Sequence, residues 1–166
     1  MTEFRYISWT EYGDLADALA EKVRSKEEGF DLIVGIARGG IPVAMVVSDH
    51  LDVKLDIINV KSYNGIAERA EPRILSTLTE AVKDKRILLV DDLVDQGYTM
   101  STVARFLSGQ RPKLLRTAVL FKKPWSKTEP DHYLEVVDKW IVFPWEHGEV
   151  NRLRVARGEM LTQGKR

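Results

Sequence analysis

The chain has 166 residues, 44% of them hydrophobic, which predicts one domain around a single sizeable core. Its 25 lysines and arginines balance 25 aspartates and glutamates, which argues against a nucleic-acid binder that relies on a global basic field. Cysteine is absent, so disulfides, thiolate catalysis and cysteine-bound zinc are excluded. No apolar run could span a bilayer and no signal-peptide pattern is present, so we expect a cytoplasmic protein that binds no membrane.

The predicted elements alternate between helices and strands along the chain. Residues 8–11 resemble a capping box, and a helix with one apolar face follows. The patterns predict strands at residues 30–36, 53–60, 87–90 and 114–121, helices at residues 41–51 and 99–107, and late strand segments at residues 133–137 and 140–143. This alternation predicts an α/β fold with a mainly parallel central sheet flanked by helices.

Two segments of the chain have no clear strand or helix pattern. Residues 61–73 are polar and carry Gly65 and Pro72, which predicts a mobile loop. Residues 147–166 are polar and basic, and we expect a helical or partly disordered tail after a single domain at residues 1–146.

Three aspartates follow the strand predicted at residues 87–90, in the stretch ILLVDDLVDQGYT. A Walker B interpretation would need the P-loop pattern GxxxxGK[ST], which is absent, and GIARGG does not fit the dinucleotide pattern GxGxxG. Aspartates that simply cap the next helix would explain one carboxylate, but not Asp91, Asp92 and Asp95 together. Adjacent like charges cost stability unless a cation or hydroxyl donors offset them.

The end of the same stretch predicts an anion site. A turn that leads into a helix can direct successive backbone N–H groups at an anion, and the helix N-terminus favours phosphate. Gly97 permits close approach and Thr99 can add a hydroxyl, although Thr99 could instead be a plain helix cap. Hydroxyl donors at the carboxylates and an anion at the turn together indicate a sugar phosphate. Ligands of open parallel sheets bind beyond the carboxyl ends of the strands, where residues 35–40, 91–99 and 122–124 should converge.

These motifs, in this order, resemble the type I phosphoribosyltransferase family, and in particular its small archaeal and bacterial 6-oxopurine members. ILLVDDLVDQGYT resembles the motif that binds phosphoribosyl pyrophosphate (PRPP), and GIARGG resembles the pyrophosphate loop. KSYNG resembles the start of the flexible hood, and FKKP and KWIVFPWE resemble the base-recognition segments. The resemblance implies the type I fold, with a hood loop at residues 61–73 and a small base-recognition segment.

The resemblance also implies roles for individual residues around PRPP. Asp91 and Asp92 would contact the ribose hydroxyls or Mg²⁺, directly or through ribose or water, and Asp95 would be the general acid/base near N7 of the purine. The expected PRPP and phosphate ligands further include Ala37, Arg38, Gly39, Gln96, Gly97, Tyr98 and Thr99, of which Arg38 would also act in catalysis. The Ala37–Arg38 peptide bond would be cis, and Lys61, Ser62 and Tyr63 would begin the hood. Gln96 and Tyr98 depart from the family, which usually has Thr or Ser and a smaller residue there.

Four further residues would recognise the base. Lys123 would donate to O6, Trp140 would stack on the purine, and Ile141 and Glu146 would contact its far edge. A lysine ammonium fits a 6-oxo group and has no partner in a 6-amino group. Without the resemblance, Trp140 and Trp145 would be interpreted as core aromatics and Lys123 as a solvated lysine at a strand end.

The implied activity is a Mg²⁺-dependent purine phosphoribosyltransferase of purine salvage. It would transfer the phosphoribosyl group from PRPP to hypoxanthine, guanine or xanthine, and release the nucleoside monophosphate and pyrophosphate. The resemblance implies a homodimer or homotetramer and no nucleic-acid partner. Two alternatives remain open: a non-catalytic regulator on the same fold that senses PRPP or a nucleotide, and a phosphoribosyltransferase for adenine or a pyrimidine.

Overall fold

The structure is a computed structural model that describes residues 3–27, 29–64, 69–148, 150 and 152, and the side chains among them except at residues 62–64 and 69–71. The chain divides into two compact units, one of residues 1–14 and 138–166 and one of residues 15–137. The strands are β1 (Phe4–Tyr6), β2 (Leu32–Ala37), β3 (Leu55–Asn64), β4 (Arg69–Ile74), β5 (Arg86–Val94), β6 (Leu114–Lys122), β7 (His132–Val136) and β8 (Trp140–Val142). The helices are α1 (Trp9–Lys26), α2 (Gly40–Leu51) and α3 (Tyr98–Ser108), and a 3-10 turn follows at Pro144–Glu146.

The larger unit is built on a six-stranded sheet in the order β4-β3-β2-β5-β6-β7. All neighbouring strands are parallel except β3 and β4, which are antiparallel. The apolar runs at residues 32–34 and 87–90 form the central strands β2 and β5 and are fully buried. Continuous apolar runs are typical of parallel strands that are covered on both faces. The predicted α/β fold with a mainly parallel sheet is therefore confirmed.

The prediction of a loop at residues 61–73 is wrong for the described residues of this segment, which lie in two strands. β3 continues to Asn64 and β4 begins at Arg69, and the two strands pair with Lys61 opposite Arg73. Polar residues suit this position because β4 lies at the edge of the sheet, where charged side chains protect an exposed edge. Gly65, which suggested a loop, lies outside the described residues, as does the tail beyond residue 152.

The smaller unit contains a two-stranded sheet and an aromatic cluster. β1, which the sequence did not predict, pairs in parallel with β8, with Phe4 opposite Trp140. The rings of Phe143 and Trp145 stack with centroids 4.9 Å apart, and Tyr12 packs edge-on against both. These aromatic contacts supply much of the apolar packing of this unit.

The predicted capping box before α1 is half confirmed. Ser8 Oγ accepts a hydrogen bond from the Glu11 N–H at 3.1 Å, as an N-cap residue should. The Glu11 carboxylate instead pairs with Arg5 at 3.0 Å.

No helix in the described part of the chain is both long enough and apolar enough to cross a membrane.

Candidate active site

The first two aspartates of the acidic stretch lie within β5, which runs four residues beyond the predicted strand end at Val90. Both are partly buried, and the Asp91 Oδ1 accepts a hydrogen bond from the Asp92 N–H at 2.9 Å. Burial, and then the neighbouring Asp92 charge, raise the pKa of Asp91 well above its ordinary value. The two adjacent carboxyl groups therefore oppose each other's ionisation, and a cation or hydroxyl donors bound there would favour their charged forms.

The glycine loop after β2 lies directly against these aspartates. A Cβ atom at Gly39 would lie 2.0 Å from the Asp92 Oδ2, and one at Gly40 would lie 2.8 Å from the Val90 carbonyl oxygen. The Ala37–Arg38 peptide bond is cis, as the resemblance implies, and the Arg38 side chain is exposed. The predicted convergence of these two strand ends is therefore confirmed.

The turn between β5 and α3 contains the predicted phosphate loop. Gly97 caps α3 with a φ of 91°, a left-handed conformation that favours glycine. A Cβ at this position would also lie 2.3 Å from the Thr128 Oγ1, which donates a hydrogen bond to the Gly97 carbonyl at 3.1 Å. Glycine is thus required here for both conformation and space. Asp95, Gln96 and Tyr98 are exposed, and Thr99 is partly buried in the first turn of α3.

The segment of residues 123–128, here called the 123–128 loop, brings the third strand end to the same place. Its Lys123 N–H donates to the Val94 carbonyl at 2.9 Å, and its Lys127 N–H donates to the Gln96 carbonyl at 3.4 Å. Lys123 is only 5% exposed, so its interpretation as a solvated lysine is wrong.

Trp125, in the 123–128 loop, is a residue that the sequence analysis did not single out. Its indole Nε1 donates a 2.7 Å hydrogen bond to the Asp95 Oδ1, and the Lys123 Nζ lies 5.5 Å from the centroid of its ring. The signal in the sequence was an aromatic N–H donor two residues after Lys123, at a strand end expected to face the acidic turn.

The predicted base-recognition residues Trp140, Ile141 and Glu146 lie in the smaller unit. Trp140 is 57% exposed on β8, so its interpretation as a core aromatic is wrong, whereas Trp145 does pack in the aromatic cluster. Ile141 is buried, and the Glu146 carboxylate accepts a hydrogen bond from the Phe143 N–H at 3.0 Å. The exposed Trp140 ring meets one requirement for stacking on a flat ligand, and that role stays a prediction.

The predicted hood residues lie on β3. Lys61 is exposed, and the side chains of Ser62 and Tyr63 lie outside those described. Their contacts with a ligand stay predictions.

Comparisons with known proteins agree with this geometry. The family model described as the phosphoribosyl transferase domain matches residues 8–151, so the chain belongs to this family. Membership confirms the recognition made from the motifs, the type I fold and the class of activity, phosphoribosyl transfer.

Named relatives narrow the class further. A Cereibacter sphaeroides protein named xanthine-guanine phosphoribosyltransferase is 35% identical over 148 residues, which are 85% of this chain and 86% of that protein. The crystal structure of a purine phosphoribosyltransferase from Pyrococcus horikoshii is 37% identical, with a TM-score of 0.77 over 87% of this chain and 95% of that one. A Neisseria gonorrhoeae protein with bound ppGpp is 25% identical, with a TM-score of 0.78 over 95% of this chain and 98% of that one.

Proposed function

We propose that the protein transfers the 5-phosphoribosyl group of PRPP to a 6-oxopurine, namely guanine, hypoxanthine or xanthine. The observation that carries this proposal is the arrangement at the end of β5. Asp91, Asp92 and Asp95 lie there beside the Gly39 loop and the first turn of α3. Acceptors for ribose hydroxyls and N–H donors for phosphate groups are therefore close together, as a sugar diphosphate substrate requires.

Asp91 and Asp92 are the proposed ligands of the ribose hydroxyls and of Mg²⁺. The described residues contain no cluster of three or more acidic or histidine side chains that could hold a metal by itself. A pair of carboxylates suits Mg²⁺, which commonly takes one or two carboxylates and completes its coordination with substrate phosphates and water. When bound, Mg²⁺ would neutralise charge on the departing pyrophosphate.

Two groups of N–H donors would hold the ends of PRPP. The Ala37 to Gly39 backbone and the exposed Arg38 guanidinium would bind pyrophosphate. The residues from Gln96 to Thr99 would bind the 5′-phosphate at the start of α3, where the first N–H groups have no partner within the helix. The departures at Gln96 and Tyr98 do not change these backbone donors.

In the reaction, the bond from C1 of the ribose to pyrophosphate breaks and a bond from C1 to a purine nitrogen forms. Positive charge develops on the ribose as negative charge leaves, so Arg38 would stabilise the leaving group. Asp95 would accept the proton that the purine loses at N7. Asp95→Asn should keep PRPP binding but lower kcat about a hundred- to ten-thousandfold, which is the usual contribution of a general acid/base.

Lys123 and Trp140 would contribute differently to the choice of base. The buried Lys123 ammonium has donors only, so it matches O6 and would find no acceptor in a 6-amino group. The exposed Trp140 ring offers a stacking face that does not distinguish the 6-substituent.

The test is a matrix of kcat/KM values for guanine, hypoxanthine, xanthine and adenine. Lys123→Ala should lower the values for the oxopurines and narrow their advantage over adenine. Trp140→Ala should lower kcat/KM for all four bases alike, by the equivalent of about 1–3 kcal/mol. Lys113→Ala, directly before the other end of β6, is the matched control and should leave the matrix unchanged. A preference of the wild type for adenine would refute the assignment of Lys123.

A second candidate function, a nucleotide sensor without turnover, is favoured by the Neisseria gonorrhoeae structure with bound ppGpp. The same phosphate-binding groups could hold the two diphosphates of such a nucleotide. Calorimetric titration with PRPP, guanosine monophosphate and ppGpp measures binding, and the kcat/KM matrix measures turnover. Together the two measurements distinguish the enzyme from the sensor. Binding of these ligands without turnover of any base would support the sensor.

The oligomeric state belongs to this proposal as well. We propose a homodimer or homotetramer, and light scattering at several protein concentrations would measure it. The division of the chain after residue 146 and the cytoplasmic location stay predictions.

A further inference from the structure

The hydrogen bond from Trp125 to Asp95 joins two strand ends within the larger unit. The donor is a neutral indole N–H and the acceptor is the Oδ1 of an exposed carboxylate, at 2.7 Å. Hydrogen bonds to an ionised acceptor are stronger than neutral ones, so this contact restrains the carboxylate. Trp125 is itself 48% exposed, so burial of its ring does not fully account for its position.

The backbone around Trp125 is anchored on both sides. Before it, the Lys123 N–H is bound to the end of β5, and the Ser126 N–H donates to the Lys123 carbonyl at 3.0 Å to close a turn. After it, Thr128 is bound to Gly97. The indole is therefore held by a fixed turn, and it reaches Asp95 from a support that does not depend on substrate.

We propose that Trp125 is a positioning residue for Asp95, an inference that rests on the proposed function. By holding Oδ1, the indole fixes the orientation of the carboxylate before the purine arrives, so that Oδ2 is the oxygen that accepts the purine proton. Proton transfer requires the two heavy atoms to lie within hydrogen-bond reach, and small misplacements reduce rates strongly.

The Lys123 ammonium ties the same indole to base recognition. Lys123 is buried with its Nζ 5.5 Å from the Trp125 ring centroid, a distance at which a cation is attracted to an aromatic face. Trp125 thus lies between the two groups assigned to N7 and O6 of the purine, and would keep their spacing constant.

The experiment compares Trp125→Phe with the wild type in steady-state assays with PRPP and guanine. Phenylalanine keeps a ring beside Lys123 but removes the N–H donor. We expect kcat to fall about ten- to hundredfold while KM for PRPP and guanine changes less than about twofold. The matched control is Trp9→Phe, at the exposed start of α1, which should leave kcat and KM unchanged. Trp125→Phe should also melt within a few degrees of the wild type, since the ring is half exposed.

A double-mutant cycle tests whether Trp125 acts through Asp95. In the Asp95→Asn background, Trp125→Phe should cause no further loss of kcat, because the group that it positions is already inactive. Equal losses in both backgrounds would overturn the inference, since Trp125 would then act independently of Asp95.

Two other results would overturn the inference alone, provided that the wild type turns over guanine. One is an unchanged kcat in Trp125→Phe. The other is a lower KM for guanine with an unchanged or higher kcat, which would mean that the indole competes with the purine for Asp95. Absence of turnover by the wild type would instead overturn the proposed function, and this inference with it.

Discussion

Gly39→Ala should reduce PRPP affinity while changing the free energy of unfolding only slightly. Gly39 has ordinary right-handed helical backbone angles, with φ −61° and ψ −37°, so alanine is allowed there. The new Cβ would lie 2.0 Å from the Oδ2 and 2.7 Å from the Cγ of Asp92, so the carboxylate must rotate away. Moving a side-chain end costs less than moving backbone, and alanine lowers the conformational entropy of the unfolded chain, which stabilises the fold by about 0.4–1 kcal/mol. The free energy of unfolding should therefore change by less than about 1 kcal/mol.

PRPP binding should suffer much more in this variant. A displaced Asp92 would lose the hydrogen bonds that we propose it makes to the ribose, and bonds to charged groups contribute about 1.5–3 kcal/mol each. Calorimetric titration should therefore show PRPP affinity reduced roughly ten- to hundredfold. Urea denaturation of the same sample measures the free energy of unfolding.

Two other glycine variants are the controls. At Gly40, an added Cβ would meet the Val90 carbonyl oxygen at 2.8 Å and the Asp91 Cα at 2.9 Å, both backbone atoms of β5 that cannot rotate away. Gly40→Ala should therefore lose about 1–3 kcal/mol of stability. Gly13→Ala has no atom within 4 Å of its Cβ and should affect neither quantity adversely. Unchanged PRPP affinity in Gly39→Ala, or unfolding as severe as in Gly40→Ala, would refute the reasoning.

Three further predictions concern other parts of the molecule. Arg38→Ala should weaken the binding of PRPP and pyrophosphate far more than that of guanosine monophosphate, because only the first two would place charge at the glycine loop after β2. Equal losses of affinity in calorimetric titrations would contradict the assignment. Asp56→Asn should destabilise the fold by about 1–3 kcal/mol at pH 7. Burial alone would raise the pKa of Asp56, but hydrogen bonds from Glu80, Ile57 and Thr79 outweigh it and lower the pKa, so the stabilisation holds above the ordinary value of 3.8 and is lost as pH falls through the lowered pKa. Urea denaturation of both proteins between about pH 3 and pH 7 measures their free energies of unfolding. The difference between wild type and variant should shrink at low pH, and a difference that grows there would exclude this role. The amides of residues 61–64, 69–71 and 73 should gain hydrogen-exchange protection when PRPP binds, and no gain would argue against a hood.

The central sheet could be predicted from the sequence because its strands are buried on both faces. The runs at residues 32–34 and 87–90 have no polar interruption, and burial follows directly from composition. β1 and β4 were missed for the opposite reason. Phe4 and Tyr6 on β1 are exposed, and β4 is polar, so neither strand shows a buried apolar pattern and each is defined by its pairing partner.

The candidate site was partly predictable for a similar reason. Asp91, Asp92 and Gly39 could be placed together because parallel strands present their carboxyl ends at one edge. The contact between Trp125 and Asp95 depends on the turn geometry of the 123–128 loop, which no periodicity encodes. Burial of Lys123 likewise depends on that loop, and the sequence alone also allowed Lys123 to be a solvated lysine at a strand end.

The close fit of Gly97 against Thr128 limits how specificity loops can be exchanged between relatives. Thr128 fills the space beside Gly97, because a Cβ at residue 97 would lie only 2.3 Å from the Thr128 Oγ1. Replacing the 123–128 loop alone would therefore put a different side chain into this tight space. The turn at residues 95–99 and the 123–128 loop should therefore be exchanged together. Chimeras that cross over between them should fold poorly, whereas chimeras that carry both should keep the geometry of the acidic turn.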